Sequence, residues 1–155
     1  MKNTSTHALT AKAIKQELKK LFPSTKFSVK SDSFAGGNSV DVSWDNGPRR
    51  KQVDEIISKY QYGHFNGMED IYEISNRNEN IPQVRFVHSS RNINEEIIEE
   101  IFAYLQKNYV HFDKVTIDET SDLINKYWDC WNARTYIYRV LSKMDLSNGF
   151  KPELL

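Results

Sequence analysis

Two histidines and three carboxylates are the residues in this sequence best suited to metal binding or proton transfer. His64, Glu69, Asp70 and Glu73 lie within ten residues, and His88 follows on the next predicted strand. Histidine and carboxylate side chains bind divalent cations, and histidine also exchanges protons near neutral pH. The set therefore defines an enzymatic hypothesis in which His64, Asp70 and His88 are the candidate site residues.

The spacing of these residues disfavours an enzymatic site. The sequence contains no His-x-x-x-His pattern and no paired-cysteine motif, either of which would indicate a metal site. On a regular strand Asp70 and Glu73 would also point to opposite faces, because side chains alternate along a strand. His64 is accordingly interpreted as a hydrogen-bonded loop anchor, and we expect neither a metal nor a cofactor.

Two further motifs are interpreted as structural. The Gly-Gly-Asn segment at 36–38 joins two predicted strands and precedes no helix N-terminus, so an anion would lack the helix end that usually receives it. Gly and Asn tolerate positive φ angles, and the segment therefore predicts a turn. Cys130 is the single cysteine, which excludes an intrachain disulfide. We interpret it as a packing residue of a protein from a reducing cytoplasm.

The charges are unevenly distributed along a chain whose net charge is zero. Residues 1–60 contain eleven Lys or Arg and six Asp or Glu, whereas residues 61–155 contain ten and fifteen. The bias fits a basic surface for nucleic acid, although it also fits two solvated faces of opposite charge. The nucleic-acid hypothesis combines one aromatic ring for base stacking with four basic side chains. These residues are Lys26, Lys30, Phe34, Arg49 and Arg50.

Hydrophobic periodicity predicts an α+β fold. Alternation around Phe27 and at Val40, Val42 and Trp44 predicts a hairpin with one buried face. Strands at 70–74 and 84–88, the second with Val84 and Phe86 facing inward, predict a second hairpin, and helical patterns precede and follow each hairpin. Alternation at 112–117 predicts a short additional edge strand. The predicted order is α-β-β-α-β-β-α-(β)-α, with a mainly antiparallel sheet of four to five strands beneath the helices. Residues 1–146 are expected to form a single domain and residues 147–155 a C-terminal tail.

The last third of the chain predicts a surface for a protein partner. A third helix carries a row of glutamates on its outer side, and a fourth helix extending to about Met144 has an apolar arc wider than one sheet face requires. Aromatic side chains are enriched in protein interfaces. The predicted partner face consists of Glu96, Glu99, Glu100, Trp128, Trp131 and Tyr138.

Four stretches of the first half, taken in order, resemble a known family. They are Phe-Ser-Val-Lys-Ser-Asp at 27–32, Phe-Ala-Gly-Gly-Asn-Ser-Val-Asp-Val-Ser-Trp at 34–44, Asn-Gly-Pro at 46–48 and Gln-Tyr-Gly-His-Phe-Asn-Gly-Met at 61–68. Together they are similar to the twenty-ninth of the numbered large polyvalent protein-associated domains, which occur in proteins of phages and conjugative elements. The resemblance implies a mobile-element origin and a part in element–host conflict. It implies no catalytic residues.

These observations favour a non-enzymatic interaction module of a mobile genetic element. Its partner would be a host or element protein or a nucleic acid, and the alternative is an enzyme that uses His64 with nearby carboxylates. No apolar run is long enough to span a bilayer, and the first five residues lead into no signal-peptide core. We therefore expect a cytoplasmic protein that makes no membrane contact.

Overall fold

The computed structural model describes residues 5–155, and the chain divides into two compact units. We call them the N-terminal unit (Met1–Asn92) and the C-terminal unit (Ile93–Leu155). Within the described residues the helices are α1 (Thr6–Leu21), α2 (Arg50–Ile57), α3 (Glu95–Asn108), α4 (Asp122–Trp128) and α5 (Ala133–Leu141). The strands are β1 (Phe27–Phe34), β2 (Gly37–Asp45), β3 (His64–Asn66), β4 (Ile71–Glu73) and β5 (Phe86–Asn92). The single domain over 1–146 and the tail over 147–155 stay predictions.

A three-stranded sheet with β2 at its centre organises the N-terminal unit. β1 pairs antiparallel with β2, and β5 pairs parallel with its other edge. Val40, Val42 and Trp44 of β2 are buried, as their alternation predicts. They belong to one hydrophobic core with residues of α1 and α2, because each helix presents an apolar stripe to the same sheet face. The buried helix residues of this core are Ile14, Leu18, Val53 and Ile57.

The α+β class is confirmed, but the predicted antiparallel sheet of four to five strands is wrong. β3 and β4 form a separate two-stranded hairpin, and the last strand begins at Phe86 and pairs with β2. The pairing is parallel because α2 lies between the two strands and returns the chain to the end at which β2 began. The segment before β5 is held by a buried side chain and by an isolated parallel bridge between Gln61 and Val84. The Gln83 amide donates to the Lys59 and Asn76 carbonyls and accepts the Asn78 N–H.

The C-terminal unit is helical throughout its regular elements, so the predicted strand around 112–117 is wrong. The predicted long last helix is also wrong, because Asp129 takes a left-handed conformation (φ 51°) and ends α4. Asn132 then begins α5 as its N-cap, where its side chain accepts the Thr135 N–H at 2.9 Å. Cys130, between the two helices, is buried in the core of this unit, in agreement with its predicted packing role.

None of the helices within residues 5–155 combines the length and the apolar content that crossing a bilayer requires. The longest of those described, α1, spans 16 residues and carries several lysines on its exposed side.

A carboxylate on α1 ties this helix to the turn that follows α2. Glu17 accepts hydrogen bonds from Lys59 Nζ at 2.6 Å and from Tyr60 Oη at 2.5 Å. Partial burial opposes ionisation of Glu17, but the two hydrogen bonds and the charges of Lys59 and Lys20 outweigh it and lower its pKa. Burial, followed by the hydrogen bond to Glu17, raises the pKa of Tyr60 far above its ordinary value.

Acidification is expected to remove the stabilisation that Glu17 provides. The pKa of Glu17 is lower in the folded protein than its ordinary value of 4.5. Its contribution is therefore complete above that ordinary value and is lost as the pH falls through the lower folded value. Urea unfolding across this acidic range should show a weaker pH dependence for Glu17→Gln than for wild type. The control Glu55→Gln, on the exposed side of α2, should keep the wild-type slope; equal slopes for all three proteins would contradict the assignment.

Candidate nucleic-acid interface

The sheet of the N-terminal unit has one face toward the core and one face toward solvent. The register of the three strands places polar and aromatic side chains in rows across the solvent-facing side, which we call the open face. Most of these side chains are exposed. The cross-strand rows are Ser28–Ser43–Ser90, Lys30–Asp41–His88 and Asp32–Ser39–Phe86, followed by Phe34 opposite Gly37.

Three rings form a line on the open face, which we call the aromatic row (Phe34, Phe86 and His88). The Phe34 and Phe86 centroids are 6.3 Å apart with an interplanar angle of 20°. The Phe86 and His88 centroids are 6.1 Å apart with an angle of 9°. The central strand places only Gly37 and Ser39 beside the two phenylalanines, so these rings from the two outer strands can approach each other across it. Phe34 is 45% exposed, and His88 is exposed as well.

Arg85 links Phe86, the middle ring of the aromatic row, to the β1–β2 turn. Its guanidinium lies 4.5 Å from the centroid of the Tyr72 ring and 5.4 Å from that of Phe86. Nη1 donates to the Gly36 carbonyl at 2.7 Å. A Cβ atom at Gly37, where φ is 149°, would lie 2.6 Å from Cδ of Arg85. Glycine is therefore required at this point of the hairpin. The turn itself consists of Ala35 and Gly36, so the predicted segment 36–38 is placed one residue late and its last two residues belong to β2.

The candidate residues for metal binding or acid–base chemistry are only partly brought together. His64 lies on β3. Its Nε2 is 3.3 Å from Glu73 Oε2, and its Nδ1 is 2.8 Å from Ser75 Oγ. The side chains of His64 and Glu73 are 54% and 38% exposed. Asp70 occupies the β3–β4 turn with a φ of 54°, and His88 lies in the aromatic row. Within residues 5–155 no three such side chains are arranged to hold a metal ion.

The five residues of the nucleic-acid hypothesis occupy separate places. Lys30 and Phe34 share the open face, whereas Lys26 borders a cavity of about 330 Å³ together with Lys15 and Lys19. Arg50 donates to Ser89 Oγ at 2.9 Å on the helix-covered side of the sheet. Arg49 is the N-cap of α2.

The sequence did not point to Arg85 or to Phe86 as site residues. Phe86 was expected to face inward from an antiparallel hairpin, and the parallel pairing of β5 instead places it on the open face next to Phe34. The two phenylalanines are far apart in sequence, so no local pattern indicates their contact. The one signal available was the placement of two rings, Phe86 and His88, two positions apart on the same predicted strand.

The predicted partner face of the C-terminal unit contains one partly buried side chain, Trp128, and five exposed ones. Trp128 packs among aromatic rings, 5.5 Å from Phe112 and 4.8 Å from Tyr136 between centroids. Trp131, in contrast, is 72% exposed, and Tyr138 is 45% exposed. The three glutamates of the prediction, Glu96, Glu99 and Glu100, are exposed on α3.

One arginine links the beginning of α3 to the segment before α4. The Arg134 guanidinium donates to both carboxylate oxygens of Glu95, at 3.0 and 2.8 Å, and its Nε donates to Asp118 at 2.6 Å. The hydrogen bonds and charge of Arg134 lower the pKa of Glu95 and of Asp118. This cluster is fully paired, so we assign it a structural role in the C-terminal unit.

Residues 5–97 match the model of the family described as large polyvalent protein associated domain 29. The matched region contains all of the open face and the whole described part of the N-terminal unit. Comparison with curated proteins and with solved structures gives no match to this chain.

Proposed function

Because the chain belongs to the large polyvalent protein associated domain 29 family, we propose that it is a non-enzymatic interaction module of a mobile genetic element that acts in the host cytoplasm. We further propose that its open face binds single-stranded nucleic acid. The observation that carries this proposal is the aromatic row, which lies on an exposed sheet face. The lone, buried Cys130 agrees with a reducing compartment.

Base stacking is the interaction that the aromatic row is best suited to make. Every base has a π face, so stacking on an aromatic ring is tolerant of sequence and contributes about 1–3 kcal/mol per base. Aromatic side chains on an exposed sheet are a recurrent platform for single-stranded nucleic acid. A duplex keeps its bases stacked on one another, and the open face should therefore discriminate against it.

The charges on the open face predict that its electrostatic attraction for nucleic acid is weak. Lys30 and Arg85 lie beside the aromatic row and can approach phosphates. Asp32 and Asp41 lie on the same face and repel phosphates. Over the whole N-terminal unit, fourteen Lys or Arg outnumber ten Asp or Glu. Stacking should therefore supply most of the affinity, with a small electrostatic contribution.

This balance gives a quantitative test by fluorescence anisotropy. A labelled oligothymidylate of about 12 nucleotides should bind the full chain, and the duplex of equal length should bind more weakly. Neutralising two phosphates of a single strand predicts a slope of log K against log salt of about −1.4 between roughly 50 and 200 mM salt. Absence of single-strand binding at the lower salt concentration, or equal affinity for the duplex, would refute the proposal.

A second candidate function is protein binding by the C-terminal unit. It is favoured by Trp131, which is 72% exposed although tryptophan is one of the residues that most often anchor protein interfaces. A pull-down from host lysate with wild type, Trp131→Ala and Phe34→Ala separates the two functions. A protein retained by wild type and by Phe34→Ala but lost by Trp131→Ala would support this candidate; retention by all three would count against it.

A further inference from the structure

β1 forms one edge of the three-stranded sheet. The two-residue turn Ala35–Gly36 is flanked by the pair Phe34–Gly37, whose backbone groups face each other in such a hairpin. Because N–H and C=O directions alternate along a strand, Val29, Ser31 and Ser33 present their backbone groups to the outer side. The Asp32 side chain supports this assignment, because its Oδ1 accepts the Ser33 N–H at 2.9 Å.

The sequence of β1 is complementary to itself in an antiparallel arrangement. A two-fold axis through Ser31 would place Lys30 opposite Asp32 of a second copy, and Asp32 opposite Lys30. Both side chains are exposed on the open face. In this register Ser31 pairs with itself as a hydrogen-bonded pair, so the Lys–Asp pairs fall at the positions where side chains approach most closely.

We propose that a second copy of this chain binds along the outer edge of β1, in the register that pairs Lys30 with Asp32. The contact extends the two three-stranded sheets into one six-stranded sheet with a two-fold axis at Ser31. It is isologous and closes on itself, which limits assembly to a dimer. The open faces of the two copies then lie side by side, each with its own aromatic row.

The geometry of the edge indicates a reversible association. In the single chain, Asp32 satisfies the outward Ser33 N–H. On pairing, the Val29 carbonyl of the second copy takes this hydrogen bond and Asp32 becomes free for Lys30. Roughly six backbone hydrogen bonds and two ion pairs then hold the dimer. A contact of this size is small compared with stable interfaces, so we expect a concentration-dependent equilibrium.

Sedimentation velocity on the full chain without nucleic acid tests the proposal. Wild type should change from monomer to dimer between low-micromolar and near-millimolar concentration. Lys30→Asp and Asp32→Lys should each weaken self-association by at least about tenfold, because each creates two like-charge contacts. An equimolar mixture of the two variants should restore a dimer, since every contact in the heterodimer is again between opposite charges.

The mixture distinguishes the proposed register from a general effect of charge. The control Lys12→Asp, an equal charge change at an exposed position of α1, should dimerise as wild type does. Circular dichroism of each variant checks that the fold is intact, which matters because Lys30 also lies opposite Asp41 within its own chain. A wild type that stays monomeric, a single variant that dimerises normally, or a mixture that stays monomeric would each overturn the proposal.

Discussion

Replacing Trp44 with Ala is expected to lower the free energy of unfolding of the N-terminal unit by about 3–5 kcal/mol. The side chain is 3% exposed, and its ring packs 5.5 Å from that of Phe27 between centroids. Its Nε1 donates to the Pro48 carbonyl at 3.0 Å and so fixes the loop that begins α2. The substitution removes a large buried surface and leaves that carbonyl without its donor.

The measurement for Trp44→Ala is urea unfolding followed by circular dichroism. Trp131→Ala is the matched control, because it deletes the same side chain at a position that is 72% exposed. The control should change the free energy of unfolding by no more than about 0.5 kcal/mol. A comparable loss in both variants would show that Trp44 does not hold the core in the way its burial indicates.

Replacing Phe34 with Ala is expected to lower the affinity for a single-stranded oligonucleotide by about 5- to 150-fold. This range corresponds to the loss of one stacked base, which is worth about 1–3 kcal/mol. The ring contacts Phe86 in the aromatic row but lies at the hairpin end and is 45% exposed. Its removal should therefore affect binding much more than folding.

Tyr138→Ala provides the control for this substitution. Tyr138 is an aromatic residue with the same exposed fraction, 45%, but it lies in the C-terminal unit. Anisotropy titrations with one oligonucleotide preparation should give the wild-type affinity for Tyr138→Ala. Equal losses in both variants would indicate non-specific contact with exposed rings, and no loss in Phe34→Ala would exclude stacking at the aromatic row.

The hairpin of β1 and β2 was predictable because its signals are local. Val40, Val42 and Trp44 alternate with polar residues, and a glycine-containing turn precedes them. A period of two places these three side chains on one face regardless of what covers that face. The helices that cover it were also predictable, since each carries its own apolar stripe.

The position of β5 was not predictable in this way. Its partner, β2, lies 47 residues earlier in the chain, as the register of Ser39 with Phe86 shows. Alternation in a strand identifies two faces without stating which face is buried or which strand is adjacent. An antiparallel hairpin with the preceding strand was the simplest expectation. Instead, α2 and the segment anchored by Gln83 bring β5 alongside β2 in a parallel arrangement.

The aromatic row could therefore be predicted only in part. The sequence identified Phe34 as the stacking ring and Lys30 as one of its basic neighbours, and both lie within one locally defined strand. Phe86 and His88 join them through the parallel pairing. The break after α4 has a different cause, since a continuous helical pattern gives no indication that Asp129 will adopt a left-handed conformation.

Chemical-shift mapping by NMR tests the proposed binding surface most directly. Unlabelled oligothymidylate would be titrated into the isotope-labelled full chain while amide and aromatic signals are followed. We predict that the largest changes fall on the rings of Phe34, Phe86 and His88 and on the amides around Gly37, with the C-terminal unit unaffected. Changes that instead centre on Trp131, or no changes at saturating oligonucleotide, would contradict the assignment of the open face as a nucleic-acid interface.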